Sequence, residues 1–171
     1  RKFDNMVTKR NIKKFDGLAV LNENVIHEYA PNIKYVVIDG GYDGPVIDII
    51  ESKKNIRDKY DNFTVVYSGS LVKYNGIANL LDAAMLVKNP CFKLHIYGKG
   101  ELEDYVTSKA LKSANIEYKG LVSSQEILKV QKKASLLVSP LIPDHQVARV
   151  AFPSKIVEYM ASGTPVVSTK V

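Results

Sequence analysis

Lys155 and Glu158 lie three residues apart in the stretch Phe152-Pro153-Ser154-Lys155-Ile156-Val157-Glu158-Tyr159-Met160-Ala161-Ser162-Gly163-Thr164-Pro165-Val166-Val167. At that spacing on a helix both side chains face the same way. The flanking residues specify such a helix. Proline suits a first helical turn, where its missing N–H would be unpaired in any case, and Ser154 is a candidate cap. Gly163 stops the helix and Pro165 blocks its continuation. Unpaired N–H groups and the positive end of the helix dipole near Pro153, Ser154 and Lys155 would draw a phosphate. A cation beside a phosphate, with a carboxylate one turn further on, could grip a nucleotide: Lys155 at the diphosphate, Glu158 on the ribose hydroxyls. The pair alone is read more simply as an exposed ion pair contributing little.

The elements that must position this pair follow from punctuation and period. The segments 63–67, 92–97 (Phe92, Leu94 and Ile96 alternating with Lys93 and His95), 116–119, 136–139 and 165–168 read as strands. Helices are expected over 46–60, 75–87, 101–111 and 124–134, the second with Ile77, Leu80, Leu81, Ala84 and Val87 on one stripe. Residues 140–151 read as irregular loop. Upstream, 1–14 reads as a helix with Phe3, Met6 or Val7, and Ile12 turned inward. Residues 17–21 and 33–38 read as strands flanking a helix that Asn22 opens and Pro31 ends. Three glycines and a proline over 39–45 predict a linker. Alternation of strand and helix with short loops implies right-handed βαβ units, a mostly parallel sheet and helices on both faces. Such sheets bind ligands beyond the carboxyl ends of their strands. That singles out the loops at 69–75, 98–101, 120–124 and 140–154.

Composition narrows the class. The chain has 171 residues, 46% hydrophobic and 25% charged, which suits globular folding. Its lone cysteine, Cys91, permits no internal disulfide and fits a reducing, cytoplasmic setting. No apolar run approaches the ~20 residues of a membrane span. The formal net charge is +6, but residues 1–14 hold six basic side chains against one acid. The basicity is local and not interleaved with aromatics, which argues against nucleic acid as a partner. Such a cluster could touch anionic lipid at the inner face of the plasma membrane; a solvated helix face is the default. The first residue is not methionine and the last strand has barely begun its exit, so a piece of a longer protein is expected. His27, His95 and His145 are scattered and give no metal-ligand spacing, and His95 is expected to be structural or exposed. Gly98-Lys99-Gly100 is too short for a dinucleotide fingerprint, position 103 being Glu103.

The long motif Phe-Pro-Ser-Lys-x-x-Glu-Tyr-Met-Ala-x-Gly-x-Pro-Val-Val resembles the signature of retaining glycosyltransferases of family four, which have the two-domain GT-B architecture. The segment Asp16-Gly17 through Asp43 is similar to the last β-α-β of that family's acceptor domain entering the hinge. The resemblance implies a remnant of the N-terminal domain over 1–38, a linker over 39–45, and over 46–171 a Rossmann-like α/β domain that binds a nucleotide-sugar donor and is truncated at its C-terminus. It implies transfer of a sugar with retention from a nucleotide-diphosphate donor to a glycan or lipid-linked acceptor, with no metal and no cofactor beyond the nucleotide sugar. In the family the glutamate matching Glu158 binds the ribose; a second glutamate near the sugar falls at Val150 here. The loop Gly69-Ser70-Leu71-Val72-Lys73-Tyr74-Asn75-Gly76 resembles Gly-Arg-Leu-x-x-x-Lys-Gly, whose two cations clamp the diphosphate. Ser70 and Asn75 replace both, leaving Lys73, Arg149 or Lys155 to supply charge. Val122 falls where the family's backbone contacts the base. The implied donor site is thus Gly69, Ser70, Lys73, Gly98, Val122, Arg149, Phe152, Pro153, Ser154, Lys155 and Glu158, with Lys155 and Glu158 also acting in catalysis. An epimerase of the same fold and a degenerate, non-catalytic module are the alternatives. The chain by itself is expected to lack transferase activity.

Overall fold

The structure, a computed structural model, describes residues 2–41, 59–152 and 154–170. The helix expected over 46–60, most of the linker, and Pro153 lie outside the described residues, apart from residues 59–60, which carry no helix. The N-terminal part comprises α1 (Lys2–Ile12), β1 (Leu18–Val20), α2 (Asn24–Tyr29) and β2 (Tyr35–Val37). β1 and β2 pair in parallel, Leu18 opposite Tyr35. Asn22 accepts a hydrogen bond from the Asn24 N–H at 2.9 Å and so turns the chain into α2. Met6 and Val7, the alternatives for one inward position, are both exposed, as are all three residues of β2. These short elements have too little surface of their own to cover them.

The larger unit is made of β3 (Phe63–Ser68), a 3-10 turn (Lys73–Asn75), α3 (Ile77–Leu86), β4 (Phe92–Tyr97), α4 (Glu103–Ala110), β5 (Ile116–Gly120), α5 (Ser124–Lys133), β6 (Leu136–Ser139), α6 (Gln146–Val150), α7 (Ser154–Ala161) and β7 (Val166–Ser168). Its five strands are all parallel, in the order β5-β4-β3-β6-β7. The chain therefore steps outward from β3 in one direction, returns, and leaves through β6 in the other. The reversal beside β3 leaves a crevice at the carboxyl edge.

Being central, β3 is buried on both faces, and its apolar run is continuous rather than alternating. Val65 and Tyr67 join Leu94, Ile96, Ile77, Leu81 and Val106 beneath α3 and α4. Val66 joins Tyr97, Leu137 and Tyr159 beneath α5 and α7. At the opposite edge Lys59 donates to the Lys132 and Ala134 carbonyls, both at 2.7 Å. It places a cation at the negative end of α5.

One expectation is corrected here. Residues 140–151 are not wholly irregular, since α6 forms within them. His145 caps it, its Nδ1 accepting from the Val147 N–H at 3.2 Å, while its ring stacks on Tyr74 with centroids 5.1 Å apart. A five-residue helix is too short to show an amphipathic period, and histidine is a weak cap signal.

Candidate functional site

The cleft at the carboxyl edge is assembled from four successive element ends. β3 delivers Ser68, Gly69 and Ser70; β4 delivers Tyr97, Gly98 and Lys99; Leu121, Val122, Ser124 and Ile127 come from the end of β5 and the start of α5; α7 adds Lys155 and Glu158. The space they enclose is about 360 Å³. The two glycines make it: Gly98 has φ +130°, and a Cβ there would lie 1.9 Å from the Gly69 carbonyl oxygen. No other residue lets the two loops lie back to back.

Lys155 lies over Gly69, where a Cβ would come within 2.1 Å of its Nζ. The ammonium donates to the Tyr67 hydroxyl at 3.1 Å and stands 5.1 Å from that ring's centroid. Burial lowers the Lys155 pKa, and Glu158 partly opposes the shift. Burial pushes the Tyr67 phenol up, so it stays a neutral donor, and it gives its proton to the Ser70 carbonyl at 2.9 Å. Asn75 donates to the same carbonyl at 2.8 Å. The position where the resembled family carries a lysine is therefore used to hold the loop.

Glu158 accepts a hydrogen bond from the Gln131 carboxamide. Gln131 also donates to Ser68 Oγ at 3.1 Å, and the buried Tyr159 hydroxyl accepts from the Ser68 N–H at 2.9 Å and donates to its carbonyl at 3.0 Å. The carboxylate is thus tied to the end of the central strand through groups with little freedom.

The expected residues divide. Gly69, Ser70, Gly98, Val122, Lys155 and Glu158 line the cleft. Phe152 and Ser154 line an adjoining hollow of about 250 Å³ that shares Ser70 and Lys155 with it. Ser154 is the first residue of α7 rather than a cap before it. The Phe152 ring lies against Gly40. Lys73 is not among the lining residues of either; its own N–H is taken by Glu101 at 3.0 Å. Arg149 and Val150 instead face α2, and Asn24 donates to the Arg149 carbonyl at 2.9 Å. Of the three substitute cations, Lys155 alone reaches the cleft. Lys99 also lines the cleft, a cation that the glycine pattern of Gly98-Lys99-Gly100 does not single out; its charge is the one signal in the sequence. His95, expected to be structural or exposed, is buried, lies 3.7 Å from Glu117 and has its pKa lowered, chiefly by burial. Among the described residues no group of three or more His, Cys, Asp or Glu could hold a metal ion.

The model of the family described as "Glycosyl transferases group 1" matches residues 62–171, well over half of the chain. The chain belongs to this glycosyltransferase family. No curated protein matches it by sequence. Solved structures do. A TarM mutant from S. aureus, in complex with fondaparinux, alpha-GlcNAc-glycerol and UDP, shares 20% identity at a TM-score of 0.69 over 98% of this chain and 32% of its own. The pneumococcal O-GlcNAc transferase GtfA, with UDP and GlcNAc, gives 17% and 0.72 over 96% of this chain and 32% of its own. Anabaena Alr3699/HepE, with UDP and glucose, gives 18% and 0.72 over 98% and 48%. At these identities the likeness is one of fold, the Rossmann-like half of a GT-B glycosyltransferase. The chain spans about a third to a half of the length of these proteins.

Proposed function

We propose that this chain is the donor-binding half of a retaining glycosyltransferase that takes a sugar from a nucleoside diphosphate and gives it to a glycan or lipid-linked acceptor. The observation that carries this reading is the convergence of Lys155 and Glu158 on one cleft at the carboxyl edge of the sheet. The diphosphate lies over Gly69 and Ser70, against Lys155, Lys99 and the N–H groups of the first turn of α7. The base meets the backbone at Val122, and the ribose meets Glu158. The sugar–phosphate C–O bond breaks with its electron pair passing to the diphosphate, and positive charge already in place stabilises that oxygen. The acceptor oxygen forms the new bond to the sugar carbon, and its proton passes to the departing diphosphate oxygen. No metal is required in this scheme. That solved relatives of the fold hold UDP supports the donor class.

Residues 1–38 belong to the acceptor-binding domain in this reading, and 39–45 form the hinge. The exposed β2 strand is covered by the rest of that domain in the whole protein.

Calorimetric titration of the chain with UDP, GDP and ADP tests the donor site. Binding of at least one nucleotide is expected, weakened roughly tenfold or more by Glu158→Ala, the loss of a hydrogen bond to a charged group. No heat with any nucleotide at millimolar concentration, or affinity indifferent to Glu158→Ala, would contradict the proposal.

A further inference from the structure

Gln131 is fully buried on α5, away from the motif that carries the family likeness. A carboxamide is an expensive group to place in a core unless its polar atoms are bonded. Its Nε2 is spent toward the site, on Glu158 and on Ser68 Oγ. Its Oε1 is buried with no hydrogen-bond partner. Turning the amide over would relieve nothing, because it would aim Oε1 at the Glu158 carboxylate, acceptor against acceptor. The orientation is dictated by Glu158, and the orphaned oxygen is its consequence. An apolar side chain of the same size would fill the core without that penalty.

We infer that Gln131 is a positioning residue for nucleotide recognition: it fixes one oxygen of Glu158 so that the other is presented to a ribose hydroxyl in the cleft. The inference rests on the donor-site reading above. Ser68 and Tyr159 complete the brace. Ser68 Oγ accepts from Gln131 and donates to the Tyr159 hydroxyl at 3.2 Å, and that hydroxyl is bonded to the Ser68 backbone on both sides. The carboxylate is therefore oriented before ligand arrives, which limits the entropy lost on binding. A pre-aimed acceptor discriminates against a ligand lacking the matching hydroxyl, since the lone pair aimed at that hydroxyl then loses its partner. Gln131 thereby sets the preference for ribose over deoxyribose without touching the ligand.

The test is titration of the wild-type chain and Gln131→Leu with UDP, 2′-deoxy-UDP and inorganic pyrophosphate. The expected result is a UDP affinity about tenfold weaker in the variant, a smaller ratio of UDP to 2′-deoxy-UDP affinity, and unchanged pyrophosphate affinity. A parallel loss of all three ligands would mean that Gln131 merely supports the fold, and an unchanged ratio would likewise overturn the inference while leaving the donor site standing. Wild-type binding of none of UDP, GDP, ADP and pyrophosphate would remove both. Should Gln131→Leu not fold, the wild-type chain still decides. The Gln131 side-chain NH2 resonances should move on adding UDP and stay in place with pyrophosphate. No movement at saturating UDP would overturn the inference.

Discussion

At the residue scale the site is a matter of where charge sits and what keeps it there. Lys155 is the cleft's most constrained cation, and burial has already lowered its pKa. The sign of the pH dependence follows. In the proposed function phosphate binding needs the ammonium, and burial in the free protein lowers its pKa from the ordinary lysine value. Affinity for a nucleoside diphosphate should therefore fall as pH rises through that lowered pKa, at lower pH than an ordinary lysine would give. Lys155→Met should weaken binding and flatten this alkaline decline, as calorimetry at stepped pH would reveal. An identical decline in the variant would assign the titration to another group. Gly98 gives a second prediction at this scale. Gly98→Ala meets a backbone oxygen rather than a yielding side chain, in a region of φ that alanine resists. A loss of several kcal/mol is expected, on the order of 1–3 from the backbone alone, measured by denaturant unfolding. A variant as stable as wild type would show that the two loops are not held back to back.

At the element scale α7 is fastened to β3 by a tyrosine hydroxyl buried among backbone groups. Tyr159→Phe removes the partner of the Ser68 N–H and carbonyl together. It should cost about 1–3 kcal/mol in unfolding free energy, whereas an exposed phenol would cost almost nothing. This element was the most legible in the sequence, because proline, glycine and a long spaced motif bracket it. The five-stranded sheet was legible too. Its strands are short, largely apolar runs, four of the five closed by glycine or proline, and the observed bounds differ from the expected ones by at most one residue at either end. The cations were harder to read. Spacing put Lys73 in the right loop, but the 3-10 turn at Lys73–Asn75 carries it out of the cleft, and Glu101 holds its backbone. Arg149 lay within the loop region expected to border the site, yet α6 sets it against α2. Gln131 left no local trace, since its partner lies 27 positions away and only the crossing of α5 with α7 brings them together.

At the scale of the whole molecule the two parts differ in how completely they bury themselves. The larger sheet is covered on both faces, whereas Tyr35, Val36, Val37 and Ile38 stand exposed beside Leu21. An uncovered apolar strand at a sheet edge invites pairing with another chain. The isolated chain should therefore self-associate at high concentration, seen as a rising mass in sedimentation or light scattering. Val36→Glu should suppress this and leave nucleotide affinity unaltered. A monomer at all concentrations would mean that this face is shielded by some other route.

The central claim is that a nucleotide diphosphate seats between Lys155 and Glu158 at the carboxyl edge of the sheet. Amide chemical-shift mapping of the chain during titration with UDP, GDP and ADP addresses it most directly. The largest shifts should fall on Gly69, Ser70, Gly98, Lys99, Val122 and the first turn of α7, with little change at Lys73 or Arg149. Shifts clustered on α1 and α2, or none at millimolar UDP, GDP or ADP, would contradict it.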